Sequence, residues 1–155
     1  MKPLIGHAHV TEYVGHALDM DRMHSSTLLS GPPGIGKTLA ARNISALILC
    51  HDRRGAQACG NCTSCRAMTS GNSVRHIEID LERDRIKNES MVDAARRLRA
   101  DIESRGGNGE RSVYLIRHFD RVSDQVQNAL LKTIEEPPSG VYFLITCSQA
   151  LSLKW

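Results

Sequence analysis

The stretch Gly31-Pro32-Pro33-Gly34-Ile35-Gly36-Lys37-Thr38 decides how this 155-residue chain folds. It matches the pattern G-x-x-x-x-G-K-[ST], follows a short run of leucine and β-branched residues at 26–30, and precedes apolar residues at helical spacing over 40–48. Glycine at three positions lets backbone N–H groups approach an anion closely, because no side chain stands in the way. A chance glycine turn would not need a strand before it and a helix after it, so the pattern predicts a phosphate-binding loop.

Each part of this loop has a predicted role toward a nucleotide. Lys37 is placed to reach the β- and γ-phosphates, Thr38 to give its hydroxyl to Mg²⁺, and the following helix to present its positive N-terminal end. We therefore expect ATP or ADP as the ligand, and Mg²⁺ as the ion that would accompany it. Kinases, GTPases, motor ATPases and passive nucleotide binders share such a loop, so it leaves open what happens to the γ-phosphate. The expected nucleotide-binding residues are Gly31, Pro32, Pro33, Gly34, Ile35, Gly36, Lys37, Thr38 and Leu39.

The composition bounds the class of protein. A hydrophobic content of 41% and a charged content of 24% are typical of one globular domain, here residues 1–155, and exclude disordered and collagen-like chains. The net charge of +3 is spread among opposite charges, so charge alone does not indicate nucleic-acid binding. No apolar run approaches the roughly 20 residues that span a bilayer, and the first residues do not resemble a secretory signal. We expect a cytoplasmic location and no membrane partner.

The rest of the chain alternates between strand and helix patterns. Ser123 is the expected N-cap of the last helix, which Pro137-Pro138 ends. The alternation predicts an α/β fold in which helices cover both faces of a parallel sheet, and ligands of such sheets bind at the carboxyl edge of the strands. Strands are predicted at 26–30, 76–80, 112–116 and 141–146, and helices over 40–48, 89–104 and 124–136.

Four cysteines are clustered directly after the first predicted helix. Cys50, Cys59, Cys62 and Cys65 follow the spacing C-x8-C-x2-C-x2-C within a small insert at about 50–66. Two successive C-x2-C pairs can surround one tetrahedral Zn²⁺ with thiolates, and four protein ligands make a closed structural site. A redox Cys-x-x-Cys pair and unligated thiols are the alternatives, but four cysteines in one small insert argue against both.

Several of these features together resemble a known family. Residues Ile5-Gly6-His7, the phosphate loop, the four-cysteine insert and the stretch N-A-L-L-K-T-I-E-E-P-P at 128–138 resemble the bacterial DNA polymerase III clamp-loader subunits of the AAA+ ATPase class. The resemblance implies a P-loop NTPase fold with a zinc-binding insert. It also implies a role in loading the sliding clamp during DNA replication. The implied partners are other clamp-loader subunits, the replicative polymerase complex and, indirectly, primed DNA.

The segment that follows the strand at 112–116 separates two subunit types of this family. In the gamma/tau motor the strand ends in Asp-Glu, which serve Mg²⁺ and the attacking water, whereas here it ends in Arg117-His118. An arginine repels Mg²⁺, so we expect hydrolysis to be impaired or absent. Asp120-Arg121 resembles a segment of the delta-prime type, which is therefore favoured. An active gamma/tau motor ATPase and a stand-alone P-loop kinase are the rival interpretations.

Residues near the ends of the last two predicted strands have open assignments. Asp120 is the one candidate for a catalytic or metal-binding carboxylate, against a role in a turn or cap. Thr146 or Ser148 would be the sensor of the γ-phosphate by position. The family continues to a Ser-Arg-Cys motif, a lid and a collar, whereas residues 149–155 read as a truncated or altered terminus. We therefore expect the lid and collar domains to be absent from this chain.

Overall fold

The computed structural model describes residues 8–81, 83–84, 89–107 and 109–149, and its centre is a four-stranded parallel sheet. The strands lie in the order β1-β4-β3-β2, so the first and last strands of the chain are neighbours. The predicted parallel sheet is confirmed, and only the strand ends differ, by one residue in the second and fourth strands. The strands are β1 Ser26–Ser30, β2 His76–Ile79, β3 Ser112–Ile116 and β4 Val141–Cys147.

Helices cover both faces of this sheet, as predicted. On one face, two helices pack over alternate residues of β3 such as Val113 and Leu115. On the other face, another two pack over Tyr114 and Ile116. Every residue of β3 is buried, because the strand has a core on each side. The helices are α1 Ala8–Asp19, α2 Lys37–Leu49, α3 Thr63–Ser70, α4 Met91–Arg105 and α5 Asp124–Glu135, with a short 3-10 turn at Phe119–Arg121.

Two of the five described helices were not predicted. Helix α1 buries Val14 and Leu18 against α2. Helix α3 lies inside the cysteine insert, where the Cys62 sulfur accepts the N–H of Cys65 as an N-cap. Gly15 of α1 lies against the insert, and a Cβ at this position would come within 3.0 Å of the backbone of Ala56. The insert therefore packs on the domain through α1.

The predicted end of α5 differs slightly from the structure. Ser123 is the N-cap residue, but its side chain makes no capping hydrogen bond, and the helix ends at Glu135 rather than at 136. The carbonyl of Ser123 accepts the N–H groups of Val126 and Gln127 instead. Residues Ile5-Gly6-His7 and the terminal stretch 151–155 lie outside the described residues. In the part of the chain that is described, no helix is both long and apolar enough to cross a membrane.

Candidate phosphate-loop site and metal centre

The predicted phosphate loop connects the end of β1 to the start of α2. Gly34 and Gly36 have φ values of 83° and 95°, which L side chains rarely adopt. A Cβ at either position would meet no atom within 4 Å, so the glycines are required there for backbone conformation rather than for space. Helix α2 begins at Lys37, and its N-terminal N–H groups therefore open toward the loop.

Lys37 bends back over the loop that precedes it. Its Nζ donates to the carbonyl oxygens of Gly31, at 2.6 Å, and Pro32, at 2.8 Å. The ammonium group thus lies where the sequence pattern places it, above the concave side of the glycine-rich turn. The structure brings all nine predicted nucleotide-binding residues, 31–39, into this loop and the first turn of α2.

An apolar cavity of about 510 Å³ adjoins the loop. It lies between α1 and β1, and the exposed side chains of Tyr13 and Ile35 line it together with the stem of Lys37. Sequence reasoning missed this cavity because it missed α1. The available signal was the recurrence of Val10, Val14 and Leu18 at four-residue spacing.

A cluster of charged side chains lies on the α2 side of the sheet, at the end of β3. Arg42 of α2 makes a bidentate pair with Glu78 of β2, with both N–O distances at 2.8 Å. Arg117, the first residue after β3, donates from Nη1 to Oε1 of the same carboxylate at 3.1 Å. His76 and these two arginines lower the pKa of Glu78 to about 2 although burial opposes this. Sequence reasoning found Arg117 but not its partner.

His118 is held by the strands on either side of it. It has a left-handed backbone with φ 52°. Its N–H donates to the hydroxyl of Thr146 in β4 at 3.3 Å, and its Nδ1 lies 3.2 Å from the buried carboxylate of Asp80. The imidazole is therefore fixed by a carboxylate just beyond β2, and the Thr146 hydroxyl is engaged with backbone.

Asp120, the candidate carboxylate, lies in the 3-10 turn beside the end of β4. Its Oδ2 accepts the N–H of Ser148 at 2.9 Å, and its Oδ1 is buried with no hydrogen-bond partner among the described residues. The hydrogen bond to Ser148 is the contact expected of the turn or cap role. A metal or catalytic role for Asp120 stays a prediction.

The four clustered cysteines come together in space. Their sulfur atoms all lie within 4.8 Å of one another, and those of Cys59 and Cys65 are 4.0 Å apart. A tetrahedron with metal–sulfur bonds of about 2.3 Å has edges of about 3.8 Å, so small adjustments would close the site on one ion. The His51 ring is engaged with Ser64, at 3.1 Å from Nε2 to Oγ.

Backbone N–H groups point at these sulfurs and prepare them for thiolate chemistry. Burial raises the pKa of Cys62, but the N–H groups of His51 and Cys65, together with neighbouring thiols, bring it to about 6. Burial raises the pKa of Cys65 to about 12. A divalent cation would stabilise the thiolate form of all four residues, which fits the donor set to a soft or borderline metal.

Comparison with known proteins gives one consistent family. The family described as DNA polymerase III, delta subunit, matches residues 6–153. DNA polymerase III subunit delta′ of Yersinia pestis is 36% identical over 132 residues, which are 85% of this chain and 38% of that protein. DNA polymerase III subunit tau of Escherichia coli is 34% identical over 150 residues, which are 97% of this chain and 23% of that protein.

A solved structure supports the fold independently. The gamma subunit-related protein of DNA polymerase III from Thermotoga maritima superposes with a TM-score of 0.62 at 16% identity, covering 93% of this chain and 41% of that one. The parallel sheet, the glycine-rich loop and this likeness define a P-loop NTPase domain of the AAA+ class. Within that class, the chain belongs to the DNA polymerase III clamp-loader subunit family. It spans between about a quarter and two fifths of the relatives named here, with 23% and 38% as the two printed shares.

The Glu78 cluster generates a pH prediction. Because the pKa of Glu78 falls from 4.5 to about 2 on folding, its contribution to stability is fully present above pH 4.5 and disappears as the pH falls toward 2. Glu78→Gln should lower the free energy of unfolding by about 1 kcal/mol at neutral pH, since the side chain is only partly exposed. Urea unfolding from pH 7 down to pH 3 measures the difference from the wild type, which should shrink with acid.

Glu103→Gln is the matched control for this prediction. Glu103 pairs with Arg99 on the exposed side of α4, with both side chains about half exposed. Its replacement should cost less than that of Glu78 at neutral pH. A difference for Glu78→Gln that stays constant or grows between pH 7 and pH 3 would contradict the account.

Proposed function

We propose that this chain is the nucleotide-binding domain of a clamp-loader subunit of the delta-prime type, which binds ATP or ADP and has impaired hydrolysis. The observation that carries the proposal is the complete phosphate loop, with Lys37 folded over left-handed glycines at the start of α2. Anion binding at such a helix end uses unpaired N–H groups and the helix dipole.

The neighbouring cavity supports a nucleotide rather than a small phosphate compound as the ligand. Tyr13 and Ile35 offer apolar surface to a purine base on the side of the loop that faces α1. A volume of about 510 Å³ suits a ligand of nucleotide size. In this arrangement the base would lie against α1 while the phosphates reach Lys37.

The end of β3 supports impaired hydrolysis. An ATPase needs carboxylates there to hold Mg²⁺ and to polarise the attacking water. Arg117 instead pairs with Glu78, and His118 has its ring on Asp80 and its N–H on Thr146. We propose that the domain holds its nucleotide as a structural ligand. In the whole protein, it would act with other clamp-loader subunits and the polymerase complex to load the sliding clamp on primed DNA.

The second candidate is an active motor ATPase of the gamma/tau type. The specific observation in its favour is the similarity to the tau subunit of Escherichia coli, which extends over 97% of this chain. Turnover separates the two candidates, because the delta-prime type as proposed here would release phosphate no faster than a variant without the loop lysine.

We also propose that Cys50, Cys59, Cys62 and Cys65 bind one structural Zn²⁺. Four thiol sulfurs within 4.8 Å of one another, all supplied by the chain, favour a closed tetrahedral site. The ion would fix the insert 50–66 in the absence of a large core of its own, since Cys65 is the buried residue of α3. The redox-pair alternative would need only two of the four sulfurs.

Lys37→Ala tests nucleotide binding. Loss of the ammonium group should weaken the affinity for a fluorescent ATP analogue at least about tenfold, because a charge-assisted contact to phosphate is removed. Lys132→Ala, which removes an exposed lysine from α5, is the control and should bind as the wild type does. Equal affinity of Lys37→Ala and wild type would contradict the proposal, and phosphate release lost only in Lys37→Ala would favour the motor ATPase.

Cys62→Ser tests the zinc proposal. The purified wild type should contain about one Zn²⁺ per chain by elemental analysis, and Co²⁺ substitution should give the intense visible bands of tetrahedral thiolate ligation. Cys62→Ser should lose most of the metal, whereas Cys147→Ser, a buried cysteine outside the cluster, should retain it. A wild type without zinc, or a Cys62→Ser protein with a full complement, would refute the assignment.

A further inference from the structure

Mg²⁺ is the ion that the P-loop NTPase fold implies, and the residues beside the loop do not fit it. Mg²⁺ needs near-octahedral oxygen ligands, with one or two carboxylates next to the phosphates. Over the described ranges, the four cysteines are the only group of three or more His, Cys, Asp or Glu side chains close enough to hold a metal. No carboxylate cluster lies beside the loop in this part of the chain.

An arginine lies where such a carboxylate would be needed. The register of the sheet places Ile116, Ile145 and Leu28 at one level across three strands, so Arg117 lies one residue further toward the loop. Val113 and Leu115 face α2, and strand alternation puts the Arg117 side chain on that same face. Helix α2 is the helix that presents its N-terminus to the phosphates.

The guanidinium of Arg117 meets α2 close to its first turn. It shares the Glu78 carboxylate with Arg42, which lies four residues after Thr38, about 6 Å further along the helix axis. Arg117 also keeps a buried Nε that has no partner among the described residues. The group is therefore anchored by one nitrogen, and another donor is unused.

The carboxylates at this edge are already engaged. Glu78 serves two arginines, Asp80 lies against His118 and 4.0 Å from Arg83, and Asp120 accepts the N–H of Ser148. Lys37 and Arg117 would both face an incoming phosphate chain. Two fixed cations at this position repel Mg²⁺ and attract an unmetallated phosphate.

We infer that this phosphate loop binds its nucleotide without Mg²⁺, and that Arg117 supplies the positive charge that the metal would otherwise supply. This inference rests on the proposed nucleotide binding. Arg117 acts as a binding residue for the phosphates, while Glu78 is a positioning residue that keeps the guanidinium at the end of β3. Mg²⁺, which neutralises part of the phosphate charge, then brings no gain in affinity.

The experiment compares nucleotide affinity with and without Mg²⁺. Fluorescent ADP and ATP analogues are titrated into the whole chain in Mg²⁺ buffer and in buffer freed of divalent cations on a chelating resin. No soluble chelator is added, so that the cysteine site keeps its metal. The dissociation constants of the wild type should agree within about threefold or favour the Mg²⁺-free buffer.

Variants of Arg117 show whether the arginine is responsible. Arg117→Gln should weaken Mg²⁺-free binding about tenfold, and Arg117→Lys, which keeps the charge, should retain most of it. Arg99→Gln removes an arginine from the exposed side of α4 and should bind as the wild type does. Thermal melting identifies any variant that does not fold, and in that case the wild-type comparison and Arg117→Lys still decide.

The outcomes separate this inference from the proposal on which it rests. Binding that requires Mg²⁺ overturns the inference and leaves nucleotide binding intact. No binding in either buffer overturns both. Mg²⁺-free affinity that is equal in folded Arg117→Gln and wild type overturns the role of Arg117.

Discussion

The four strands run parallel, so their carboxyl ends meet at one edge, and the segments that follow β1, β3 and β4 lie side by side there. This constraint places the glycine-rich loop next to residues that are far away in the chain. It also lets β4 connect the two sides, since Thr146 accepts the N–H of His118 and the N–H of Ser148 reaches Asp120. The buried strands β3 and β4 fix these positions, because both of their faces are packed.

Glu78 determines how charge is arranged at that edge. A partly buried arginine after β3 needs a carboxylate, and β2 provides one that also binds Arg42 of α2. The same carboxylate therefore fixes the helix whose N-terminus forms the anion site. A family feature, the carboxylate pair at the end of β3, has been replaced by a cation and its counter-ion, with the loop left intact.

The features that were predictable from sequence are those with local causes. The loop, the four strands and the grouping of the cysteines follow from glycine positions, apolar runs and C-x2-C spacing. Helix α3 was missed because it has eight residues and depends on the Cys62 cap. The tie from Glu78 to Arg42 and Arg117 crosses 36 and 39 residues of sequence, and no local pattern reveals such a pair. Asp120 was found by position, but its bond to Ser148 depends on the meeting of β3 and β4.

The central claim is that protein charge, rather than a metal ion, meets the phosphates at this loop. Anomalous diffraction at the manganese edge, from crystals of the chain grown with ADP and Mn²⁺, tests it most directly, because Mn²⁺ substitutes for Mg²⁺ and is visible on its own. The account predicts nucleotide density in the loop, the Arg117 guanidinium beside the phosphates and no manganese peak among them. A manganese peak between the phosphates and the Thr38 hydroxyl would contradict it.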